Sequence, residues 1–224
     1  MNFRDKEPIM IKGSHRRANL LVAIPTLGMV SIAFHVAAQR MQVPTNAVME
    51  SMIITHQEVG VARDQVMQHV MSRPKDQRPD YIFFLGDDML PSWDALIKLH
   101  AIAEAEDWDV LAALYFCKQD DPPRPILWRE GTVGTLQAGV HYEVGETVLA
   151  DIAGMDFTLI RPSILEKIEP PYFRTGPTQN EFGGIWSHTE DAWFVRKVKE
   201  AGGRVGVATS VRVGHMNIKT GEIY

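Results

Sequence analysis

Short apolar runs alternate with amphipathic stretches through the first half of the chain. Leu20–Ile24 is uninterrupted apolar sequence closed by Pro25, the pattern of a strand buried on both faces. Residues 29–42 follow with helical spacing, Ile32, Val36 and Arg40 standing four apart, and Val48–Thr55 reads as a second strand. Val61–Met71 predicts a helix: Val66, Met67 and Val70 share a face, and Pro74 lies just past the end. Tyr81–Leu85 is the clearest strand. It runs directly into Gly86-Asp87-Asp88-Met89-Leu90-Pro91, after which Ser92 is expected to cap a helix to about Ala105 with Leu96, Leu99 and Ala103 on its apolar face. Val110–Phe116 is a further apolar strand. This alternation predicts an α/β fold with a mainly parallel sheet.

The second half is less regular. Residues 118–148 mix prolines, glycines and polar residues without a strong period and are compatible with a hairpin. Ala150–Ile160 is apolar again, and Pro162–Ile168 reads as a short helix. Residues 169–188 are rich in proline, glycine and aromatics, long enough to suggest a functional loop or lid. Thr189–Ala201 carries the marks of a helix: a threonine cap, Glu190 and Asp191 in the first turn, basic residues later and Gly202-Gly203 at the exit. Arg204–Ala208 and Val211–Val213 read as two short strands. The ends, 1–19 and 217–224, read as a polar arm and a polar tail.

Composition narrows the class. A chain of 224 residues, 45% apolar and 23% charged, suits one domain with a sizeable core. A net charge of −5 argues against a nucleic-acid partner. The single cysteine, Cys117, excludes an internal disulfide and fits a reducing compartment. Met1–Lys12 lacks the apolar core of a signal peptide, and no apolar run approaches the roughly 20 residues of a transmembrane segment. A soluble, cytoplasmic protein is therefore expected.

Four places carry candidate chemistry. Asp87-Asp88 ends a buried strand, where open α/β sheets bind ligands, and two such charges call for a cation or donors. A solvated turn before a helix is the bland reading. His215, after a short strand and Gly214, offers an imidazole to a divalent metal, or is an ordinary loop histidine. Glu190-Asp191 offers a general base, or simply complements a helix dipole. Arg63 suits a phosphate contact or a surface ion pair. The sequence contains no Walker loop, no GxGxxG after a strand, no GxSxG elbow and no HExxH.

The order of these short motifs resembles that of GT-A glycosyltransferases, particularly the family 2-like group. Val22-Ala-Ile-Pro-Thr26, Val61-Ala-Arg63 and Phe83-Phe-Leu-Gly-Asp-Asp-Met89 resemble the nucleotide-binding half. Ile152-Ala-Gly-Met-Asp-Phe-Thr-Leu-Ile-Arg161 resembles the acceptor-side strand, Thr189-Glu-Asp191 with Phe194 and Ala201-Gly202 the "ED" helix, and Val213-Gly-His215 the late metal-binding histidine. The resemblance covers about residues 20–216. It implies a single Rossmann-like domain with helices on both faces, its nucleotide-binding half at 20–117 and its acceptor-binding half at 118–216. It implies Mn²⁺ or Mg²⁺ between the diphosphate of a UDP- or GDP-linked sugar and the carboxylate motif, with a glycan, protein, lipid or small molecule as acceptor.

By the same resemblance Asp88 and His215 are metal ligands, and Asp191, with Glu190 beside it, is the base. Pro25, Thr26, Arg63 and Asp87 line the nucleotide site. Gly154, Met155, Asp156 and Trp186 lie near the sugar or acceptor. One departure stands out. The family's motif is Asp-x-Asp, and aligning Met89 with the methionine that often follows it puts Gly86 where the first carboxylate belongs. A nucleotidyltransferase and a non-catalytic nucleotide-binding domain are the alternatives. Pro25-Thr-Leu-Gly-Met29 holds no basic residue of the kind a nucleotidyltransferase carries after its first strand, whereas Gly86 keeps the non-catalytic reading open.

Overall fold

The computed structural model describes residues 17–118, 122–130, 136–138, 141–179 and 185–224, with the backbone alone for 130, 136–138, 178–179 and 185–187. In chain order the first half comprises β1 (Ala18–Thr26), α1 (Ile32–Arg40), β2 (Ala47–Thr55), α2 (Val59–Ser72), β3 (Tyr81–Leu85), β4 (Met89–Pro91), α3 (Ala95–Glu106) and β5 (Val110–Leu114). The second comprises β6 (Leu127–Glu130), β7 (Leu136–Ala138), β8 (Thr147–Leu149), β9 (Ile152–Ala153), β10 (Phe157–Ile160), α4 (Pro162–Leu165), β11 (Gly176–Gln179), β12 (Ile185–His188), α5 (Glu190–Glu200) and β13 (Val205–His215).

One eight-stranded sheet, in the order β2-β1-β3-β10-β5-β13-β4 with β8 also on β13, joins the two halves. It is mainly parallel: β2, β1, β3, β5 and β13 run one way, while β10, β4 and β8 run against them. Alternation along the strands feeds two cores. Leu21, Ala23, Ile82, Phe84, Val110 and Ala112 meet α2, α4 and α5 on one face. Leu20, Val22, Tyr81, Phe83, Leu111 and Ala113 meet Phe34 of α1 and Leu96, Leu99 and Ala103 of α3 on the other. Helices on both faces are what near-continuous apolar strands require, because neither face can be left to water. Among the described residues no helix is long and apolar enough to cross a membrane.

Several local readings change. The stripe of Ile32 and Val36 faces outward, Ile32 being 83% exposed, and only Phe34 of α1 is buried. Ser92 does not cap α3. Its hydroxyl donates to Asp94 (2.8 Å), and the helix starts after Asp94, because Met89–Pro91 first form β4 on β13. The two strands read in 204–213 are one strand, β13, interrupted by a register shift between Ala208 and Arg212. Ala18 and Asn19, assigned to the arm, already pair with β2. The polar tail turns back, so that the His215 and Tyr224 backbones exchange two hydrogen bonds of 3.0 Å. Much of the expected lid is held in place: Asp64 of α2 accepts the Tyr172 and Phe173 N–H groups at 2.6 and 3.2 Å, and Phe173 stacks on Phe194.

Candidate metal centre and carboxylate cluster

The parallel strands end along one edge of the sheet. That edge brings together Pro25 and Thr26 at the end of β1, Gly86-Asp87-Asp88 after β3, Tyr115–Lys118 after β5, and His215 at the end of β13. The antiparallel pairing of β13 with β4 sets His215 opposite Met89, and the Met216 N–H donates to the Asp88 carbonyl (2.9 Å). Residues far apart in the chain thus become neighbours through strand register.

The two adjacent aspartates point to different partners. Asp87 accepts from the Thr26 hydroxyl, and burial, with help from Asp88 and Asp156, pushes its carboxyl above the ordinary range. Asp88 faces His215, its Oδ2 lying 3.5 Å from Nε2, and the Lys118 ammonium donates to the same oxygen. Burial opposes ionisation of Asp88, but the bonds to His215 and Lys118 outweigh it and hold its pKa below the usual value. His215 Nδ1 lies 2.7 Å from the Phe116 carbonyl. A carbonyl only accepts, so Nδ1 carries a proton, which leaves Nε2 directed at Asp88.

A donor set of this kind fits a divalent cation. Oxygen and imidazole donors lie roughly 2.0–2.2 Å from such an ion. Donor atoms of Asp88, Asp156 and His215 all lie within 4.8 Å of one another, close to the span of a single coordination sphere. Fixing one imidazole nitrogen through the other is also the usual support for a metal-ligating histidine.

Arg63 of α2 lies beside this corner and is only 2% exposed. Its Nη1 donates to Glu190 Oε1 (2.7 Å) and Asp191 Oδ1 (3.3 Å), and its Nη2 to Asp156 Oδ1 (2.5 Å). Burial alone would weaken the guanidinium charge, but Asp156, Asp191 and Glu190 outweigh it and hold the cation firmly protonated. One positive charge serves three carboxylates, and the mismatch falls on Asp191. Burial and the neighbouring Glu190 raise its pKa well above the ordinary value against the pull of Arg63, while Glu190 is held low despite burial by its bond to Asp191 and by Arg63. The two acids therefore differ in proton affinity, Asp191 being the one whose surroundings favour the protonated form. The cap of α5 puts both acids in its first turn: the Thr189 hydroxyl accepts the Ala192 N–H.

The remaining expected residues separate. Arg63 is sequestered among carboxylates. Met155 has no exposed surface and packs into the α2–α5 core. Gly154 admits a tyrosine: a Cβ there would lie 1.9 Å from the Tyr115 hydroxyl, which accepts the Asp156 N–H at 3.0 Å. Trp186 is on β12, and its side chain lies outside the described residues. Tyr115 and Lys118 escaped the sequence reading, and the only available signal was their position just past a strand that ends at the same edge as Asp88.

No protein-family model matches this sequence, and no curated protein matches it. Solved structures do resemble the fold. A197 from STIV superposes with a TM-score of 0.58 at 21% identity, over 89% of this chain and 86% of that one. GalNAc-T7, a GT-A glycosyltransferase solved with UDP, GalNAc and Mn²⁺, superposes with a TM-score of 0.60 at 10% identity, over 91% of this chain but only 45% of its own length. At such identities the likeness concerns architecture, and the architecture of this chain is GT-A-like.

Proposed function

We propose that this chain is a metal-dependent glycosyltransferase that moves a sugar from a nucleotide-sugar donor to an acceptor hydroxyl. One observation carries the reading: Asp88 and the tautomer-fixed Nε2 of His215 converge at 3.5 Å at the C-terminal edge of the parallel strands in a GT-A-like fold. Asp88 and His215 would hold Mn²⁺ or Mg²⁺ on the donor diphosphate. When bound, that ion offsets the charge that builds on the departing nucleoside diphosphate. Pro25, Thr26 and Asp87 line the nucleotide side, with the Thr26–Asp87 bond fixing that wall. Asp191 takes the acceptor proton once it has lost its own, and Glu190 and Arg63 keep its carboxyl in place. UDP is the first donor nucleotide to try, since the GalNAc-T7 structure holds it.

The test is release of nucleoside diphosphate from a panel of UDP- and GDP-sugars, with and without Mn²⁺. Metal-dependent release that Asp88→Ala abolishes is expected. Pyrophosphate as the product would favour a nucleotidyltransferase. Nucleotide binding without turnover would favour a non-catalytic domain, the reading that Gly86 keeps open.

A further inference from the structure

The residue expected to supply a second carboxylate is Gly86, yet the space beside it is not empty. In the antiparallel pairing of β10 with β3, Phe157 lies opposite Leu85. The next pair is closed by the Gly86 N–H donating to the Asp156 carbonyl at 2.7 Å, so Asp156 faces Gly86 across the strands. A Cβ on residue 86 would meet Asp156 Cβ at 2.8 Å, Oδ1 at 2.9 Å and Cγ at 3.0 Å. The volume that a side chain at 86 would need already holds the Asp156 side chain. Carboxylates directly opposite on neighbouring strands would also repel.

Asp156 is held in a defined orientation. Arg63 Nη2 donates to Oδ1, and the Tyr115 hydroxyl, which accepts the Asp156 N–H, lies 3.4 Å from Oδ2. The Tyr115 ring packs edge-on against His215, with centroids 5.2 Å apart. His215 closes the same corner, its side chain only 7% exposed. With Nδ1 committed as a donor to Phe116, His215 directs Nε2 at Asp88 Oδ2, the oxygen to which the Lys118 ammonium also donates. Donor atoms of Asp88, Asp156 and His215 all lie within 4.8 Å of one another, so one ion can reach all three side chains.

On the reading that this corner holds a divalent cation, we infer that Asp156 is its second carboxylate, recruited from the turn that leads into the neighbouring antiparallel strand to replace the one absent at position 86. Gly86 is then the compensating partner of Asp156 and not a sign of a decayed site. The coordinating side chains are Asp88, Asp156 and His215, and the site remains a diphosphate-bound Mn²⁺ or Mg²⁺ centre.

The experiment follows Mn²⁺ binding to the full chain by loss of the free-ion EPR signal, without nucleotide, so that it does not depend on turnover. Asp88→Asn and Asp156→Asn should each weaken binding at least about tenfold, since even outer-shell changes cost 10–100-fold. Asn at 156 keeps an acceptor for Arg63, and circular dichroism checks the fold. Gly86→Asp alone should lower the melting temperature, because it collides with Asp156. Gly86→Asp combined with Asp156→Gly should recover both stability and Mn²⁺ binding. Asp156→Cys should shift preference from Mn²⁺ toward Cd²⁺, a softer ion, which a merely structural role would not do. Wild-type affinity in Asp156→Asn alongside loss in Asp88→Asn would overturn the inference and leave the proposed transferase standing. Absence of Mn²⁺ binding by the wild-type chain would also overturn it. Mn²⁺ binding that depends on both aspartates, without release of nucleoside diphosphate from any donor, would uphold it and sink the transferase reading.

Discussion

Asp87-Asp88 and Glu190-Asp191 look alike in sequence, each an adjacent pair of acids beside a helix. The structure partners them differently. The first pair is divided, Asp87 going to Thr26 and Asp88 to Lys118 and His215, so that each acid has its own partners and Asp88 ionises readily. The second pair is pooled with Asp156 around one guanidinium, and burial with Glu190 beside it raises the proton affinity of Asp191. Adjacent acids thus acquire different proton affinities from the number of donors and cations within reach: enough of them keep an acid ionised, and too few raise its pKa.

The largest expected effect comes from removing the shared cation. Arg63→Met should cost about 3 kcal/mol in urea unfolding at neutral pH, because it strands Glu190 and the part-buried Asp191 and Asp156 without their counter-charge. If the loss stays below about 1 kcal/mol, the second pair is not held by Arg63. Gly154→Ala acts on the tyrosine that links the two corners. The added methyl group would overlap the Tyr115 hydroxyl and should cost about 1–3 kcal/mol. Adding Tyr115→Phe should return part of that loss.

Smaller changes give Asp191 and Asp88 opposite signs. The folded pKa of Asp191 is raised, so between the ordinary carboxylate range and that raised value the folded chain binds more protons than the unfolded chain. Stability therefore falls as pH rises through this window, and the cost is fully present above it. Asp191→Asn, which resembles the protonated acid, should leave neutral-pH stability equal or higher by up to about 1 kcal/mol while abolishing transfer. The folded pKa of Asp88 is lowered, so its contribution is present above the ordinary carboxylate range and lost as pH falls through the lowered value. Asp88→Asn should accordingly cost about 1 kcal/mol. The smallest effect is kinetic: kcat/KM should rise with pH through the raised pKa of Asp191. A profile already flat above about pH 5 would mean a base with an ordinary pKa.

The central strands were legible because burial on both faces leaves an apolar signature that does not depend on partners. Tyr81–Leu85 is the clearest case. Boundaries that depend on a distant strand were not legible: Met89–Pro91 reads as the approach to a helix until β13 pairs with it. Ile32 and Val36 have helical spacing but lie on the outward face, since a period reports a stripe and not what covers it. In the site, residue types at strand ends and a helix start singled out Asp88, His215 and Glu190-Asp191. Lys118 and Tyr115 carried no local mark.

The sequence by itself determined the alternation of strands and helices, the acids at the end of β3 and the start of α5, and the glycine at position 86 beside the first of them. These are properties of a residue and its immediate neighbours. The tertiary structure decided which acid meets which cation. Strand register set His215 against Asp88 and Asp156 against Gly86, and the packing of α2 against α5 placed one arginine among three carboxylates. Charge and proton affinity depend on distances of a few ångströms, and only the folded chain sets distances between residues so far apart in sequence.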